Sequence, residues 1–266
     1  MNQLMKEIDD DRPIAMQWIY TKLKNQILDV GYQISHANSL TVSKSLQHDT
    51  MRLFSINNDI QIVHNFIDSR KYELESKNDC QRIAVAQPHQ RILTHISNFR
   101  KVKRVQDVIK IFHRVQKEIP SKLLMVGEGP EKRKAELLSK KLGISDQVIF
   151  FGNSNEIAKI LCYTDVFILP SERESFGLSA LEAMAARTAV ISTNTGGLPE
   201  VNVHGVTGYL SNLGDVEDMA KNALEILKDD ATLSLFKKRA KEHTKQFSLE
   251  IILPIYEKVY ASLIKT

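Results

Sequence analysis

Five apolar runs recur along this sequence from about Arg91 onward, and each is followed by a segment whose apolar residues have helical spacing. The runs are RILTHIS, KLLMV, QVIFF, VFILP and AVIST. After the first run, Val105, Val108, Ile109 and Phe112 fall on one face of a helix, which predicts an amphipathic helix. Strands that alternate with helices in this way form parallel sheets. The sequence therefore predicts an α/β fold with a complete Rossmann-like parallel sheet and helices on both faces.

The part of the chain before Arg91 is less regular. It predicts a helix at residues 14–28, a strand at 39–42, a helix at 43–54 and a strand that ends at Val63. These elements make only part of a second Rossmann-like domain. We therefore expect a partial N-terminal domain with its linker at residues 1–88 and a complete C-terminal domain at 89–248. A C-terminal helix at 249–266 is expected to pack back toward the N-terminal part, with Pro254 marking a kink or a boundary.

The composition excludes several classes of protein. The 266 residues are 42% hydrophobic and 26% charged, which is typical of a soluble globular chain. No apolar run approaches the roughly 20 residues of a membrane span, and the N-terminus lacks a signal-peptide pattern, so we expect a cytoplasmic protein. A net charge of +4 is too small to indicate a nucleic-acid partner. Cys80 and Cys162 lie far apart in sequence, which favours a free buried thiol over a disulfide framework.

Two carboxylates flank a Phe-Gly step directly after the fourth apolar run. Glu174 precedes Gly177 in the segment SERESFGLSALEAMAAR, and Glu182 lies inside the helix that this segment predicts. Backbone N–H groups at such a helix start attract anions, and carboxylates accept hydrogen bonds from paired sugar hydroxyls. The alternative is a glutamate that complements the helix dipole together with a solvated one, and the spacing alone leaves both interpretations open.

Basic residues and glycines follow other strands at the same predicted sheet edge. Arg100, Lys103 and Arg104 come after the first run, where their charges are placed to neutralise a pyrophosphate; an ordinary basic helix start is the alternative. Gly127 and Gly129 form the turn GEGP after the second run. This turn resembles a nucleotide-binding turn but lacks the third glycine of the dinucleotide fingerprint.

Metal ligands and catalytic histidines are not evident in the sequence. The acidic run at residues 9–11 has no histidine or further carboxylate at ligand spacing, and no known histidine motif is present. We therefore predict no metal site and no cofactor. His95 lies inside an apolar run and is predicted to be a hydrogen-bonded core residue and not a catalyst.

Taken in order, six segments resemble the donor-nucleotide domain of retaining glycosyltransferases with the GT-B fold, in glycosyltransferase family 4. The segments are THISNFRKVKR, LLMVGEGPE, FFGN, LPSERESFGLSALEAMA, STNTGGLPEV and HGVTGYL. Within that family, HISNFRKVKR and SERESFGL are most similar to transferases of bacillithiol biosynthesis. The resemblance implies transfer of N-acetylglucosamine from UDP-N-acetylglucosamine to L-malate with retention of configuration. It covers residue 39 to the C-terminus. By this resemblance the partial domain and linker expected at residues 1–88 are the acceptor side, and the domain at 89–248 is the donor side.

The resemblance also implies roles for individual residues. Lys103 and Glu174 are the implied catalytic residues: Lys103 holds the donor diphosphate, and Glu174 holds hydroxyls of the donor sugar. Glu182 is implied to bind the ribose. The other implied donor-binding residues are Arg100, Arg104, Gly127, Gly129, Asn153, Ser154, Ser175, Phe176, Gly177 and Leu178. Enzymes of this kind generally need no metal, and their partners are the nucleotide sugar and a small acceptor.

The glycine-rich loop and the HGTD-like segment of the first GT-B domain do not occur in this sequence, so we expect an N-terminally shortened chain. An alternative function is a nucleotide-sugar binding module that is inactive alone because most of the acceptor domain is missing. A third, an NAD-dependent dehydrogenase, is disfavoured by the broken glycine fingerprint. Exposed strand edges before Arg91 would favour self-association, so a homo-oligomer is a further hypothesis.

Overall fold

A computed structural model describes residues 40–57, 59–73, 82 and 85–264 of the chain. The chain divides into two compact units, Met1–His64 and Asn65–Thr266. The predicted helix at residues 14–28 lies outside the described residues. The domain boundaries predicted at residues 88 and 248 remain predictions.

The first unit contains two strands joined by a helix. Strand β1 (Leu40–Thr41) pairs in parallel with β2 (Gln61–Ile62), and helix α1 (Lys44–Phe54) connects them. Ser43 caps this helix, since its hydroxyl oxygen accepts a hydrogen bond from the amide of Leu46 at 3.0 Å. The two strands and the helix predicted for this stretch are confirmed.

Six parallel strands form the sheet of the second unit, in the order β5-β4-β3-β6-β7-β8. Their bounds are β3 Arg91–Ile96, β4 Ser121–Val126, β5 Val148–Gly152, β6 Val166–Leu169, β7 Ala189–Thr193 and β8 Gly208–Ser211. The first five are the predicted strands. The sequence did not predict β8, because it is a short edge strand that begins with glycine and has little apolar patterning of its own. The predicted α/β fold is confirmed.

Helices connect successive strands of this sheet, and further helices follow its last strand, β8. Their bounds are α2 Val105–Glu118, α3 Lys132–Lys141, α4 Ile157–Cys162, α5 Leu178–Ala185, α6 Leu198–Val201, α7 Val216–Leu227, α8 Asp230–His243 and α9 Leu249–Ile264. Short 3-10 helices lie at Ser69–Tyr72, Lys101–Lys103, Ser145–Gln147 and Thr244–Phe247.

Apolar residues fill both faces of the sheet. Successive residues of a strand point to opposite faces, so Leu123 and Met125 of β4 join the main core with α2 and α7. Leu124 and Val126 of the same strand pack with Ile160 on the other face. This double burial explains why the strands are continuous apolar runs without polar alternation.

The strand order creates a crevice at the carboxyl edge of the sheet. From β3 the chain proceeds outward through β4 and β5, and it then returns to β6 and proceeds outward on the other side through β7 and β8. Strands β3 and β6 are therefore neighbours whose following loops lead in opposite directions. In doubly wound sheets this switch point is where ligands bind.

Helix α9 continues through Pro254, so of the two predicted alternatives the boundary is wrong, while a kink at this residue stays a prediction. Pro254 is exposed to solvent, where water can take the place of the amide donor that proline lacks. The amide of Ile67 donates to the carbonyl of Phe247 at 2.9 Å, and the amide of Leu249 donates to the carbonyl of Ile67 at 3.1 Å. These bonds tie the beginning of the second unit to its last helix.

Cys162 is disulfide-bonded, so the prediction of a free thiol is wrong for this residue. Separation along the sequence does not limit which cysteines meet in a folded chain. The other cysteine, Cys80, lies outside the described residues. Among the helices in the described part of the chain, none combines the length and the apolar character needed to cross a bilayer.

Candidate active site

Main-chain hydrogen bonds join the loops that leave β3, β6 and β7 at the carboxyl edge of the sheet. The amide of Glu172, after β6, donates to the carbonyl of Val102, after β3, at 2.8 Å. The amide of Gly197, after β7, donates to the carbonyl of Glu174 at 2.8 Å. The loops therefore hold one another in place around the crevice, and side chains on different loops are brought together.

Lys103 and Glu174 form an ion pair across this crevice. Lys103 ends the 3-10 helix after β3, and its Nζ lies 2.5 Å from Oε1 of Glu174. The two side chains are only 19% and 13% exposed. An ion pair shielded from water to this extent is stronger than one on the open surface, and each charge compensates the burial of the other. The two residues with implied catalytic roles are thus in direct contact.

Helix α5 begins beside this ion pair. Its N-cap residue is Gly177, with φ of 103°, and no side chain caps the first amides. Uncapped amides and the positive end of the helix dipole favour an anion at this position. Phe176 is buried and packs edge-to-face on Phe247, so only its backbone can contact a ligand. The exposed residues on either side of Gly177 are Ser175 and Leu178.

Gly127 and Gly129 lie in the turn after β4, where they touch the loop after β3. A β-carbon on Gly127 would lie 1.8 Å from the carbonyl oxygen of Ser97, and one on Gly129 would lie 2.1 Å from that of Asn98. Any side chain would push this turn away from the loop that leads to Lys103. The two glycines support the geometry of that loop, and their contact with a donor stays a prediction.

The remaining predicted donor-binding residues occupy separate positions. Arg104 Nε donates to Asp107 Oδ2 at 2.6 Å, so its guanidinium is engaged within the first turn of α2. Arg100 and Asn153 are exposed. The hydroxyl of Ser154 accepts a hydrogen bond from the amide of Glu156 at 3.1 Å, which shapes the turn before α4. Binding roles for these residues stay predictions.

Glu182 is half-buried within α5, and Tyr72 lies near its carboxyl group. Burial raises the pKa of the Glu182 carboxyl, and the nearby Tyr72 opposes that shift. Tyr72 ends the 3-10 helix Ser69–Tyr72, which packs against α4 and α5. Sequence reasoning missed Tyr72, because no local pattern connects it with a glutamate so much later in the chain.

His95 is fully buried beneath the crevice, and its predicted role as a core residue is confirmed. Its Nδ1 lies 2.8 Å from the carbonyl oxygen of Ile168, and its Nε2 lies 2.8 Å from the hydroxyl of Ser97. Nδ1 carries the hydrogen, because a carbonyl oxygen only accepts. Burial, with a smaller contribution from the charge of Lys103, lowers the pKa of His95 to about 4, although the hydrogen bond to Ile168 opposes the shift. The imidazole is therefore neutral at pH 7.

The groups around this crevice are suited to different parts of one ligand. The ammonium of Lys103 and the uncapped start of α5 suit a phosphate or diphosphate. The carboxylates of Glu174 and Glu182 accept hydrogen bonds from hydroxyl groups. A parallel α/β sheet with these groups at its switch point has the features of a domain that binds a sugar nucleotide.

The chain belongs to the family Glycosyl transferases group 1, which matches residues 77–243. A curated relative, N-acetyl-alpha-D-glucosaminyl L-malate synthase of Bacillus anthracis, is 43% identical over 238 residues. That alignment covers 89% of this chain and 62% of the relative. The chain therefore spans less than two thirds of the length of that protein.

Solved glycosyltransferase structures share the fold. Sucrose-phosphate synthase from Thermosynechococcus elongatus superposes with a TM-score of 0.77 at 23% identity, over 85% of this chain and 58% of that structure. Anabaena HepE, solved in complex with UDP and glucose, superposes with a TM-score of 0.76 at 19% identity, over 86% of this chain and 63% of that structure. The fold similarity to GT-B glycosyltransferases expected from the sequence is confirmed.

Proposed function

We propose that this protein transfers N-acetylglucosamine from UDP-N-acetylglucosamine to L-malate with retention of configuration. The contact that carries the proposal is the ion pair between Lys103 and Glu174, which places a cation and a hydroxyl acceptor beside the start of α5. The choice of sugar and acceptor rests on the 43% identity to the B. anthracis enzyme and on the activity that its name states. That relationship to a named enzyme also favours a transferase over a binding module.

The proposed chemistry makes the donor diphosphate the leaving group. The bond between the anomeric carbon and the phosphate oxygen breaks, and the malate hydroxyl forms the new bond from the same face of the sugar. The proton of that hydroxyl passes to the leaving phosphate. Negative charge grows on the diphosphate as the bond breaks, so Lys103 and the amides at the start of α5 act by stabilising it. The proposal includes neither a metal nor a cofactor.

Calorimetry and a transfer assay together test this proposal. The protein is titrated with UDP and UDP-N-acetylglucosamine, with ADP as the nucleotide control, and then incubated with the donor and L-malate. We expect both uridine ligands to bind, ADP to bind much more weakly, and the product to be the α-anomer by NMR. Absence of UDP binding would refute the site. Donor binding together with transfer to an acceptor other than malate would refute only the acceptor.

A further inference from the structure

The side chain of His95 joins the two strands that meet at the switch point of the sheet. Backbone pairing between β3 and β6 includes Thr94 and Phe167. One residue further toward the crevice, Nδ1 of His95 donates to the carbonyl oxygen of Ile168 at 2.8 Å. The imidazole therefore extends the connection between β3 and β6 to the edge where the loop after β3 begins.

The other nitrogen of the imidazole fixes the start of that loop. Nε2 of His95 lies 2.8 Å from the hydroxyl of Ser97 and accepts its hydrogen, because Nδ1 carries the only ring N–H of the neutral imidazole. The same Ser97 oxygen accepts a hydrogen bond from the amide of Phe99 at 3.2 Å. A continuous chain of hydrogen bonds thus runs from the carbonyl of Ile168 to the backbone of Phe99.

Phe99 has a backbone conformation that depends on such support. Its φ of 39° lies in the left-handed region, which is unfavourable for a residue with a β-carbon. The Phe99 ring is fully buried and stacks on the imidazole of His95, with the ring centroids 6.0 Å apart and the planes at 24°. Strained backbone persists only where the surrounding contacts hold it. His95 holds Phe99 twice, by its ring directly and by its hydrogen bond through Ser97.

The direction of the chain at Phe99 helps to decide where Lys103 lies. Lys103 follows four residues later and forms its ion pair with Glu174 across the crevice. A change in φ at Phe99 would redirect the chain between these two residues. The far part of the loop is held separately, because the amide of Glu172 donates to the carbonyl of Val102 at 2.8 Å. His95 therefore fixes the beginning of the loop, and the loop after β6 fixes its end.

We propose that His95 is a positioning residue for Lys103: through Ser97 it holds Phe99 in the left-handed conformation, which directs the ammonium of Lys103 at the diphosphate of the donor. The His95 side chain is fully buried, so it acts on the ligand only through the loop. The inference rests on the proposed function, because it takes the ligand of Lys103 to be the diphosphate of a uridine nucleotide.

The test is the ratio of the dissociation constants of uridine and UDP, measured by calorimetry, with displacement of UDP used where uridine binds weakly. Uridine lacks the diphosphate, so the ratio isolates the contribution of the diphosphate site. His95→Phe keeps a ring beside Phe99 and removes both hydrogen bonds of the imidazole, whereas Ser97→Ala removes only the hydroxyl. We expect each variant to weaken UDP by about fivefold and to leave uridine unchanged, so the ratio falls. In the Lys103→Ala background, neither substitution should change the ratio further.

Thr94→Val is the matched control on the same strand. The hydroxyl of Thr94 forms a buried hydrogen bond with that of Thr164 at 2.8 Å. Successive residues of a strand point to opposite faces of the sheet, so this bond lies on the other face from His95. Thr94→Val also loses a buried hydroxyl, but it should keep the uridine-to-UDP ratio of the wild type.

Two results would overturn the inference. Equal weakening of uridine and UDP in Ser97→Ala and His95→Phe would show a general structural effect without a role for Lys103. An equal fall of the ratio in the Lys103→Ala background would show that His95 acts on the ligand by another route. Ser97→Ala carries the test by itself if His95→Phe does not fold.

The wild type separates the inference from the proposed function. If it prefers UDP to uridine and both variants keep that preference, the inference fails while the proposed function stands. If the wild type binds neither ligand, or binds both equally, the diphosphate site is wrong and the inference fails together with the proposed function.

Discussion

At the scale of single residues, the Lys103–Glu174 ion pair supplies one cation and one anion to the candidate site. Lys103→Ala is expected to raise the dissociation constant of UDP by about tenfold, because a charge-assisted hydrogen bond to the diphosphate is lost. Its effect on transfer should be larger, about a hundredfold, since charge on the leaving group is greatest in the transition state. Titration calorimetry and steady-state rates measure the two effects. Unchanged UDP affinity would contradict the assignment of Lys103.

Glu174→Gln is the counterpart on the other side of the ion pair. We expect it to leave UDP affinity undiminished, because Lys103 loses a competing carboxylate, and to abolish the preference for UDP-N-acetylglucosamine over UDP. The two ligands are compared by calorimetry. Glu172→Gln, two positions away in the same loop, is the matched control and should behave as the wild type. If Glu174→Gln lost the same affinity for UDP as for UDP-N-acetylglucosamine, a contact between Glu174 and the sugar would be contradicted.

His95 makes stability depend on pH. Its pKa is about 4 in the folded protein, below the ordinary value of 6.5. Between pH 4 and pH 6.5 the imidazole is therefore protonated in the unfolded chain and neutral in the folded protein. The stability that depends on a neutral His95 is fully present above pH 6.5 and is lost as the pH falls through about 4. Between pH 7 and 4.5, we expect the wild type to lose about 2–3 kcal/mol more than His95→Gln in urea unfolding. Equal losses of unfolding free energy in the wild type and in His95→Gln would contradict the burial of a neutral imidazole.

At the scale of elements, the site depends on close contact between the loops after β6 and β7. Gly196 has φ of 57°, and a β-carbon there would lie 2.1 Å from the carbonyl oxygen of Glu174. Gly205 has a similar φ of 75°, but a β-carbon there would meet nothing within 4 Å. Both alanine variants suffer backbone strain of about 1 kcal/mol, whereas only Gly196→Ala also forces the two loops apart.

Gly196→Ala should therefore lose affinity for UDP-N-acetylglucosamine, and Gly205→Ala should keep it. The comparison uses thermal unfolding together with calorimetry. Equal melting temperatures and equal affinities in the two variants would show that contact between the loops does not determine the position of Glu174.

At the scale of the whole second unit, Asp165 connects three distant parts of the chain. Its carboxylate accepts hydrogen bonds from Arg82, from the amide of Ile92 and from Lys237, each at 2.9 Å. Burial alone would raise the pKa of Asp165, but the charges of Lys237 and Arg82 outweigh burial and lower it. The ionised carboxylate therefore holds the segment before β3, strand β3 itself and helix α8 together.

Asp165→Asn should lower the free energy of unfolding by about 3 kcal/mol, because it leaves two partly buried cations without their counter-charge. The stability that the ionised Asp165 contributes is present above the pKa of this carboxyl in the unfolded chain and is lost as the pH falls below it. The deficit of Asp165→Asn should therefore shrink in acid. Asp230→Asn, which breaks an exposed ion pair with Arg91, is the control and should stay within about 1 kcal/mol of the wild type. Urea unfolding of both variants at pH 7 and at pH 2.5, which lies below the ordinary carboxyl pKa of 3.8, measures the effect, and an Asp165→Asn deficit that does not shrink in acid would contradict the role of Asp165.

Local patterns predicted the elements well, because each depends on a few neighbouring residues. The apolar runs at Arg91–Ile96 and Val166–Leu169 are strands, and the stripe after Arg104 is helix α2. Strand β8 was not predicted, because a four-residue edge strand depends on pairing with its neighbour β7 more than on the β propensity of its own residues. The kink or boundary predicted at Pro254 rested on the low helix propensity of proline. Helix α9 nevertheless continues through this residue, because Pro254 is exposed and water can satisfy the carbonyl that lacks a partner.

The sequence by itself determined the alternation of strands and helices, the glycine and the carboxylates after β6, and the basic segment after β3. It did not determine which strands lie side by side. Only the tertiary structure, by placing β3 next to β6, brought Lys103 to Glu174. The physical reason is that periodicity reflects which face of an element is buried, whereas the order of strands in a sheet depends on packing summed over the whole molecule.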